Sequence, residues 1–460
     1  MNEGVEAVID RKAMDRLVEW KQNRRGATAL LIEGARRVGK STLAEAFGKR
    51  HYRSYLLIDF ARIPQEVADI FMNLRTDIDK FFQYLSAFYG VRLYPRESLV
   101  IFDEVQTFPI ARGFIKYLVA DGRYDYIETG SLLSIRQNVQ EIVIPSEEES
   151  FRLNPLDFEE FLVATGNDSL SDLIREAFER GDAVPDALHR KASRLFREYM
   201  LIGGMPRVVD VYAQTSSFEK ADEEKRRILD LYRKDVARFA YGYQDKVGSI
   251  FDEIPAQLSK HEKRFTLASL GKSARYRTYE EAFFWLADAQ ISIPCFSSTD
   301  PSVGLALSRD SSALKCYMAD TGLLATMSLL TSNATKEDLY RGVLFGKLSL
   351  NEGMLVENVV AQTLVAKGDR LFYYSQSGKK EGEERLEIDF LVVRPFKDAG
   401  GKPRVSPIEV KSSVRFRVLS LERFAEKFRE KIGTEYVVYP GPMRRDGRRL
   451  LVPLYAAHCL

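Results

Sequence analysis

The sequence predicts an α/β protein with an N-terminal parallel sheet, a helical and winged-helix middle region and a C-terminal α/β domain. Three observations predict it. The first is an alternation of short apolar runs with helix-like segments from Ala27 to about Ser134: "ATALLIEG", "KSTLAEAFGKR", "YLLIDF", "DIDKFFQYLSAFYG", "SLVIFDE" and "YDYIETGS". Apolar runs of strand length fed by longer amphipathic segments are the pattern of βαβ units and of a mainly parallel sheet covered on both faces. The second is the order, from Ile250 to about Thr326, of three helix-like segments ("IFDEIPAQLSK", "FTLASLG", "YEEAFFWLADAQ") and two strand-like runs ("ISIPCF", "ALKCYMAD"), which is the order of a winged-helix module. The third is a helix ("EGMLVENVVAQTLVAKG"), three strand candidates ("RLFYYSQ", "RLEIDFLVV", "VSPIEVKSS"), a further helix and closing strands from about Leu348 onward.

Between these parts, "EIVIPSEEES" reads as a strand ending in an exposed acidic run, and "LNPLDFEEFLVATG" opens a mostly helical region that runs to about Arg238. The expected boundaries are residues 1–210 for the first domain with a helical extension, 211–340 for the middle region and 341–460 for the last domain. A chain of 460 residues exceeds what one hydrophobic core covers, and 45% apolar residues suffice for several. Its 68 basic side chains nearly cancel 66 acidic ones, so nucleic-acid binding must rest on local patches. Three cysteines without Cys-x-x-Cys spacing, and an N-terminus without an apolar signal core, fit a reducing, cytoplasmic setting. No run of 18 apolar residues occurs, so no membrane partner is expected.

The chemistry starts at "GARRVGKST". Gly34 and Gly39 bracket Ala35, Arg36, Arg37 and Val38, and Lys40, Ser41 and Thr42 follow, between an apolar strand and a helix. Such a loop needs glycines because it turns sharply and aims backbone N–H groups at phosphate oxygens. These nine residues are expected to bind ATP, with Lys40 reaching the β- and γ-phosphates and Ser41 ligating Mg²⁺. The arginines occupy variable positions whose side chains point away from phosphate, so contacts with another domain or subunit are the safer role for them. "SLVIFDE" ends in Asp103 and Glu104, read as a Mg²⁺ ligand and as the general base that polarises the attacking water. A helix cap explains one of these carboxylates, but not both. In "ETGS", Thr129 or Ser131 is a γ-phosphate sensor or a strand-end turn, with neither favoured. Arg207 in "GGMPRVV", or a residue of a neighbouring subunit in a homo-oligomer, is the candidate arginine finger.

A second constellation lies in the last domain, where Asp389 in "LEIDFLVV" precedes Glu409 and Lys411 in "PIEVKSS". Glu409 and Lys411 are two apart and share a strand face, which Asp389 on a neighbouring strand can join. Two carboxylates and an ammonium around one point suit Mg²⁺-assisted phosphodiester hydrolysis, with Glu357 in "MLVENVV" as a further ligand. The alternative is a structural ion pair on half-exposed strands. Lys260, Lys263, Arg264, Lys272, Arg275 and Arg277 form a basic edge on the winged-helix segment, fit either for DNA phosphates or for solvent.

In order, "IEGARRVGKSTL", "LVIFDEVQ", "TGSLLS", "NPLDFEEFL", "YMLIGGMPRVV", "KCYMADTGLLA", "GMLVENVVAQTL", "EIDFLV" and "IEVKSS" resemble the prokaryotic AAA+ superfamily ATPases that pair an N-terminal AAA domain with a C-terminal DUF4143 domain. The resemblance implies a P-loop ATPase, a winged-helix middle and a C-terminal fold similar to restriction endonucleases of the PD-(D/E)XK type. This chain departs from it in Ala35, where such loops usually carry proline, and in Ile388, where the nuclease pattern has proline before the acid. Two functions compete: an ATPase driving a nuclease-like or DNA-binding domain, and a nucleotide-gated switch or scaffold whose C-terminal domain only binds a partner. A P-loop kinase is a weaker third.

Overall fold

The computed structural model describes residues 9–130, 147–260, 262–271, 274–329, 336–344, 351–376, 386–396 and 400–460. The chain forms two compact units, Met1–Asn154 and Pro155–Leu460. Residues 155–210, expected as an extension of the first domain, belong to the second unit.

In the first unit the elements are α1 (Ala13–Arg24), β1 (Ala29–Gly34), α2 (Lys40–His51), β2 (Ser54–Asp59), α3 (Gln65–Asn73), α4 (Ile78–Tyr89), β3 (Ser98–Asp103), α5 (Pro109–Asp121), β4 (Asp125–Gly130) and β5 (Glu148–Leu153). The five strands run parallel in the order β2-β3-β4-β1-β5. The period-two alternation of a strand divides β3 between two cores. Leu99 and Ile101 pack with Leu17 and Trp20 of α1 and Leu43 and Phe47 of α2. Val100 and Phe102 face Phe71, Phe81, Phe114 and Leu118 from α3, α4 and α5. Both faces are therefore covered, as the apolar runs require.

The strand expected to end in the acidic run of "EIVIPSEEES" falls on residues 141–146, which lie outside the described residues, and β5 begins inside that run, at Glu148. Its acids are tolerated because they are paired. Arg112 donates to Glu148 at 2.9 Å, and Arg24 lies 2.5 Å from Glu149. Phe151 and Leu153 meanwhile point into the core.

The second unit opens with α6 (Phe158–Ala164), α7 (Asp168–Arg180), α8 (Asp186–Ile202), α9 (Pro206–Thr215), α10 (Phe218–Phe239), α11 (Gln244–Leu258) and α12 (Tyr276–Asp288). Then come β6 (Ser292–Ser298), β7 (Arg309–Met318), α13 (Thr321–Ser328), α14 (Lys336–Leu344), α15 (Glu352–Ala366), β8 (Phe372–Gln376), β9 (Leu386–Pro395), β10 (Pro403–Val410), α16 (Leu419–Lys427), β11 (Glu435–Tyr439), β12 (Arg444–Asp446) and β13 (Arg449–Pro453). The middle one of the three helices expected before β6 is a single 3₁₀ turn, Leu267–Ser269. The β6–β7 hairpin does not stand alone as a wing. β6 pairs in parallel with β8, which places the hairpin at the end of an eight-stranded mixed sheet ordered β12-β13-β11-β10-β9-β8-β6-β7.

α15 is the centre of this unit. Every residue from Met354 to Leu364 is buried, so its polar side chains must find partners inside the protein. Asn358 accepts from the Met318 N–H at 2.8 Å and donates to the Met318 carbonyl and the Thr321 hydroxyl. Gln362 accepts from the Thr321 N–H and hydroxyl, both at 2.9 Å, and donates to Tyr199. These bonds set α13, whose capping Asp320 accepts from the Gly204 N–H at 2.6 Å. Gly204 packs so closely that an added Cβ would lie 2.0 Å from the Leu156 carbonyl oxygen, and one on Gly322 would lie 2.2 Å from that of Ile202.

Gly204→Ala should therefore destabilise the second unit by at least about 1–3 kcal/mol, the usual cost of overpacking. Gly248→Ala, inside α11 with no atom within 4 Å of its added Cβ, should instead stabilise it by about 0.4–1 kcal/mol. Urea unfolding midpoints test both, and equal effects would contradict the packing argument.

Candidate functional site

The nucleotide candidate lies where β1 ends and α2 begins. Gly39 at φ 94° and Arg37 at φ 69° turn the chain through the left-handed region. An added Cβ on Gly34 would meet the Leu153 carbonyl and a Val38 methyl at 2.8 Å each, so the first glycine is required by packing as well as by phosphate approach. Val38 and Ala35 are buried and anchor the loop, while Arg36, Arg37 and Thr42 are exposed. Lys40 is buried, and its ammonium donates to the carbonyls of Gly34 at 3.0 Å and Ala35 at 3.2 Å, inside the loop's curve.

One carboxylate joins the loop to the neighbouring strands. Ser41 donates its hydroxyl to Asp103 Oδ1 at 2.6 Å, and Thr129 donates to the same oxygen. The Glu104 N–H donates to the Thr129 hydroxyl at 3.3 Å. The parallel registry explains the meeting, because β4 lies between β1 and β3 and carries Thr129 level with Ile32. Glu104 sits in the left-handed region at φ 53°, where its carboxylate accepts a bond from the Gln106 amide. Ser41 and Asp103 thus present two adjacent oxygens of the kind Mg²⁺ takes, and the donor set fits that ion. Thr129 is brought to the site, whereas Ser131 lies outside the described residues. Arg207 belongs to the second unit, where it pairs with Asp210 at 2.8 Å.

The C-terminal acids are arranged differently from the expected single cluster. Lys411 bonds Glu409 at 2.5 Å, and the other oxygen of Glu409 is buried without a hydrogen-bond partner among the described residues. Asp389 and Glu357 instead face Lys315, at 3.7 and 3.3 Å, and Glu387 lies 3.1 Å from the same ammonium. Lys263 pairs with Glu357 as well, and the Tyr317 hydroxyl donates to it. The Val410 N–H donates to Asp389 at 2.8 Å. Among the described residues no group of three or more His, Cys, Asp or Glu side chains is placed to hold a metal ion. Glu409 offers one orphan oxygen beside an ammonium, and the remaining acids already have lysines, so this set does not fit a divalent ion as it stands.

Sequence reading missed Lys315, Glu387 and Tyr317. Lys315 carried a usable signal, a charge inside the apolar run "ALKCYM". Of the basic edge expected to face DNA phosphates or solvent, Lys263 is turned inward to Glu357; Lys272 lies outside the described residues, and Arg264, Arg275 and Arg277 are exposed.

Burial first, and then the neighbouring Glu357 charge, push the Asp389 carboxyl up to about 7. Glu357 is drawn down to about 2, against its burial, by Lys315 and Lys263. Asp389 thus binds a proton in the folded state, but not in the unfolded chain, between about pH 4 and 7. Its contribution is full at low pH and is lost as pH rises through that window, by at most about 1.4 kcal/mol per pH unit. Glu357 acts oppositely, and its contribution is lost as pH falls from about 4.5 towards 2. Asp389→Asn should flatten the slope of the urea midpoint between pH 4 and 7; an unchanged slope would remove Asp389 as its source.

Family models match three parts of the chain: an AAA domain at residues 27–162, a domain of unknown function (DUF8612) at 193–334, and a second domain of unknown function (DUF4143) at 352–456. No curated protein matches. Among solved structures, a signal transduction ATPase with numerous domains and a tetratricopeptide repeat sensor, from Pyrococcus horikoshii, is 13% identical with a TM-score of 0.27, over 79% of this chain and 50% of that one. PCH-2 of C. elegans is 11% identical with a TM-score of 0.20, over 44% and 54%. The chain spans about half the length of each of these two. The AAA match contains the loop, Asp103, Glu104 and Thr129, while the lysine and carboxylate cluster draws on the other two matches. The chain therefore joins an N-terminal AAA domain, with the phosphate-type loop inside it, to a C-terminal DUF4143 domain.

Proposed function

We propose that this chain is a Mg²⁺-dependent ATP hydrolase in which bound nucleotide controls what the C-terminal domain binds. The observation that carries the reading is the convergence of Ser41, Thr129 and the Glu104 backbone on Asp103. It ties the phosphate loop, the acidic strand end and the sensor strand to one carboxylate. Gly34 to Thr42 form the phosphate cradle, with the N-terminus of α2 directed at the anion. Lys40 would neutralise the β- and γ-phosphates, and Ser41 and Asp103 would hold Mg²⁺, whose charge would stabilise the phosphate oxygens. Glu104 orients and deprotonates the attacking water, with Gln106 fixing the position of its carboxylate. Thr129 senses the γ-phosphate through its bond to Asp103. Arg36 and Arg37, exposed in the loop, are assigned a contact with a neighbouring subunit in a homo-oligomer.

The C-terminal partner is a protein or a nucleic acid, and the exposed Arg264, Arg275 and Arg277, before and at the start of α12, favour a phosphate-bearing one. A nuclease reading is disfavoured by the lysines already set among the C-terminal acids.

Lys40→Ala should abolish ATP binding. Glu104→Gln should keep binding but lower turnover by about 100-fold or more. Phosphate release without an added acceptor, followed alongside equilibrium nucleotide binding, checks both. Turnover that demands an acceptor would point to a transferase, and a fully active Glu104→Gln would remove Glu104 as the base.

A further inference from the structure

We propose that the acidic cluster of the C-terminal sheet is a lysine-locked site: Lys315 and Lys263 hold the cation position among Glu357, Glu387 and Asp389 and keep divalent metal out. The Lys315 side chain is 1% exposed, and its ammonium stands within 3.1–3.7 Å of one carboxylate on α15 and two on β9. A single positive centre facing three carboxylates from two elements is the arrangement a divalent ion would otherwise create. Lys263 adds a second ammonium, bonded to the other oxygen of Glu357 and to the Gly353 carbonyl at 3.2 Å. Tyr317 and the Val410 N–H take further lone pairs of Glu357 and Asp389. The oxygens that would bind metal are already engaged.

The delivery of both lysines is built into the strand pattern. Lys315 and Tyr317 are two apart on β7, so both project to the face where Glu357 lies. Arg264 forms a bridge to Lys315 through the backbone, which fixes Lys263 beside β7. Displacing the pair would leave two ammoniums without partners in a buried place, a cost that exposed ion pairs do not carry. The lock therefore also fastens the β6–β7 segment to the C-terminal sheet, and it makes that sheet a binding platform rather than a metal-dependent hydrolase. It does not depend on the ATPase reading, because the lock involves no nucleotide.

The test is a Mn²⁺ titration of the full chain without nucleotide, read by electron paramagnetic resonance, in an Asp103→Ala background that removes the loop's own metal ligand. That parent should show no specific Mn²⁺ site. Lys263→Met/Lys315→Met should gain one site at least about tenfold tighter than the parent's residual binding, and lose it again when Glu357→Gln is added. Lys263→Met alone, which leaves the deeper lysine in place, should show a smaller gain; it carries the test if circular dichroism shows the double variant unfolded. A parent site that disappears with Asp389→Asn would overturn the proposal. So would a folded Lys263→Met or double variant whose Mn²⁺ affinity equals the parent's.

Discussion

The second unit depends on how a buried ammonium is compensated. Lys315 lies in a strand whose neighbours Leu314 and Cys316 are almost completely buried, where an unpaired charge would cost many kilocalories per mole. Its compensation requires Glu357 at one position of α15 and Glu387 and Asp389 on β9, and this fixes the rotation and height of α15 against the sheet. Once α15 is fixed, Asn358 and Gln362 reach the end of β7 and the start of α13, and Asp320 then clasps Gly204. A chain of charge-assisted and backbone bonds thus runs from the acidic cluster to the turn between α8 and α9. The segments "YMLIGGMPRVV", "KCYMADTGLLA" and "GMLVENVVAQTL" meet along that chain, which accounts for Tyr199, Gly204, Asp320, Thr321, Asn358 and Gln362 by packing and hydrogen bonding.

The first unit solves a different problem. Its loop is shaped by backbone conformation, with Arg37 and Gly39 at positive φ and Gly34 where a Cβ would strike β5, and its polar groups gather on one carboxylate at the strand ends. Local rules of this kind are written in consecutive residues. For that reason the loop, the strand–loop–helix context and the Asp103–Glu104 pair were legible in the sequence, as were the strands of the doubly covered sheet, whose apolar runs could go nowhere but inside.

What was not legible depended on contacts between residues far apart in the chain. The acidic start of β5 looked like surface until Arg112 and Arg24 were placed beside it. The helix expected around "FTLASLG" shrinks to one turn, and the hairpin expected as a separate wing joins the larger sheet, because β6 finds β8 some 75 residues later. The pattern of Asp389, Glu409 and Lys411 pointed correctly to charge in apolar strands. It carried no record of which cations would answer that charge, since Lys263 and Lys315 lie about 75 to 125 residues upstream of Asp389.

Charge balance shows why the cluster needs no metal. Glu357, Glu387 and Asp389 bring three negative charges when ionised, and Lys315 and Lys263 bring two positive ones, so one negative charge is left over in a poorly solvated place. A divalent ion added beside both lysines would overshoot that deficit, and one that displaced an ammonium would leave that ammonium without its carboxylate partners. A proton corrects it without rearrangement, and Asp389, whose affinity for a proton is raised to near neutrality, is the carboxyl that takes it. Two lysines and one proton on Asp389 therefore close the balance, and the geometry that resembles a metal site in sequence is, in the folded chain, a self-neutralised joint.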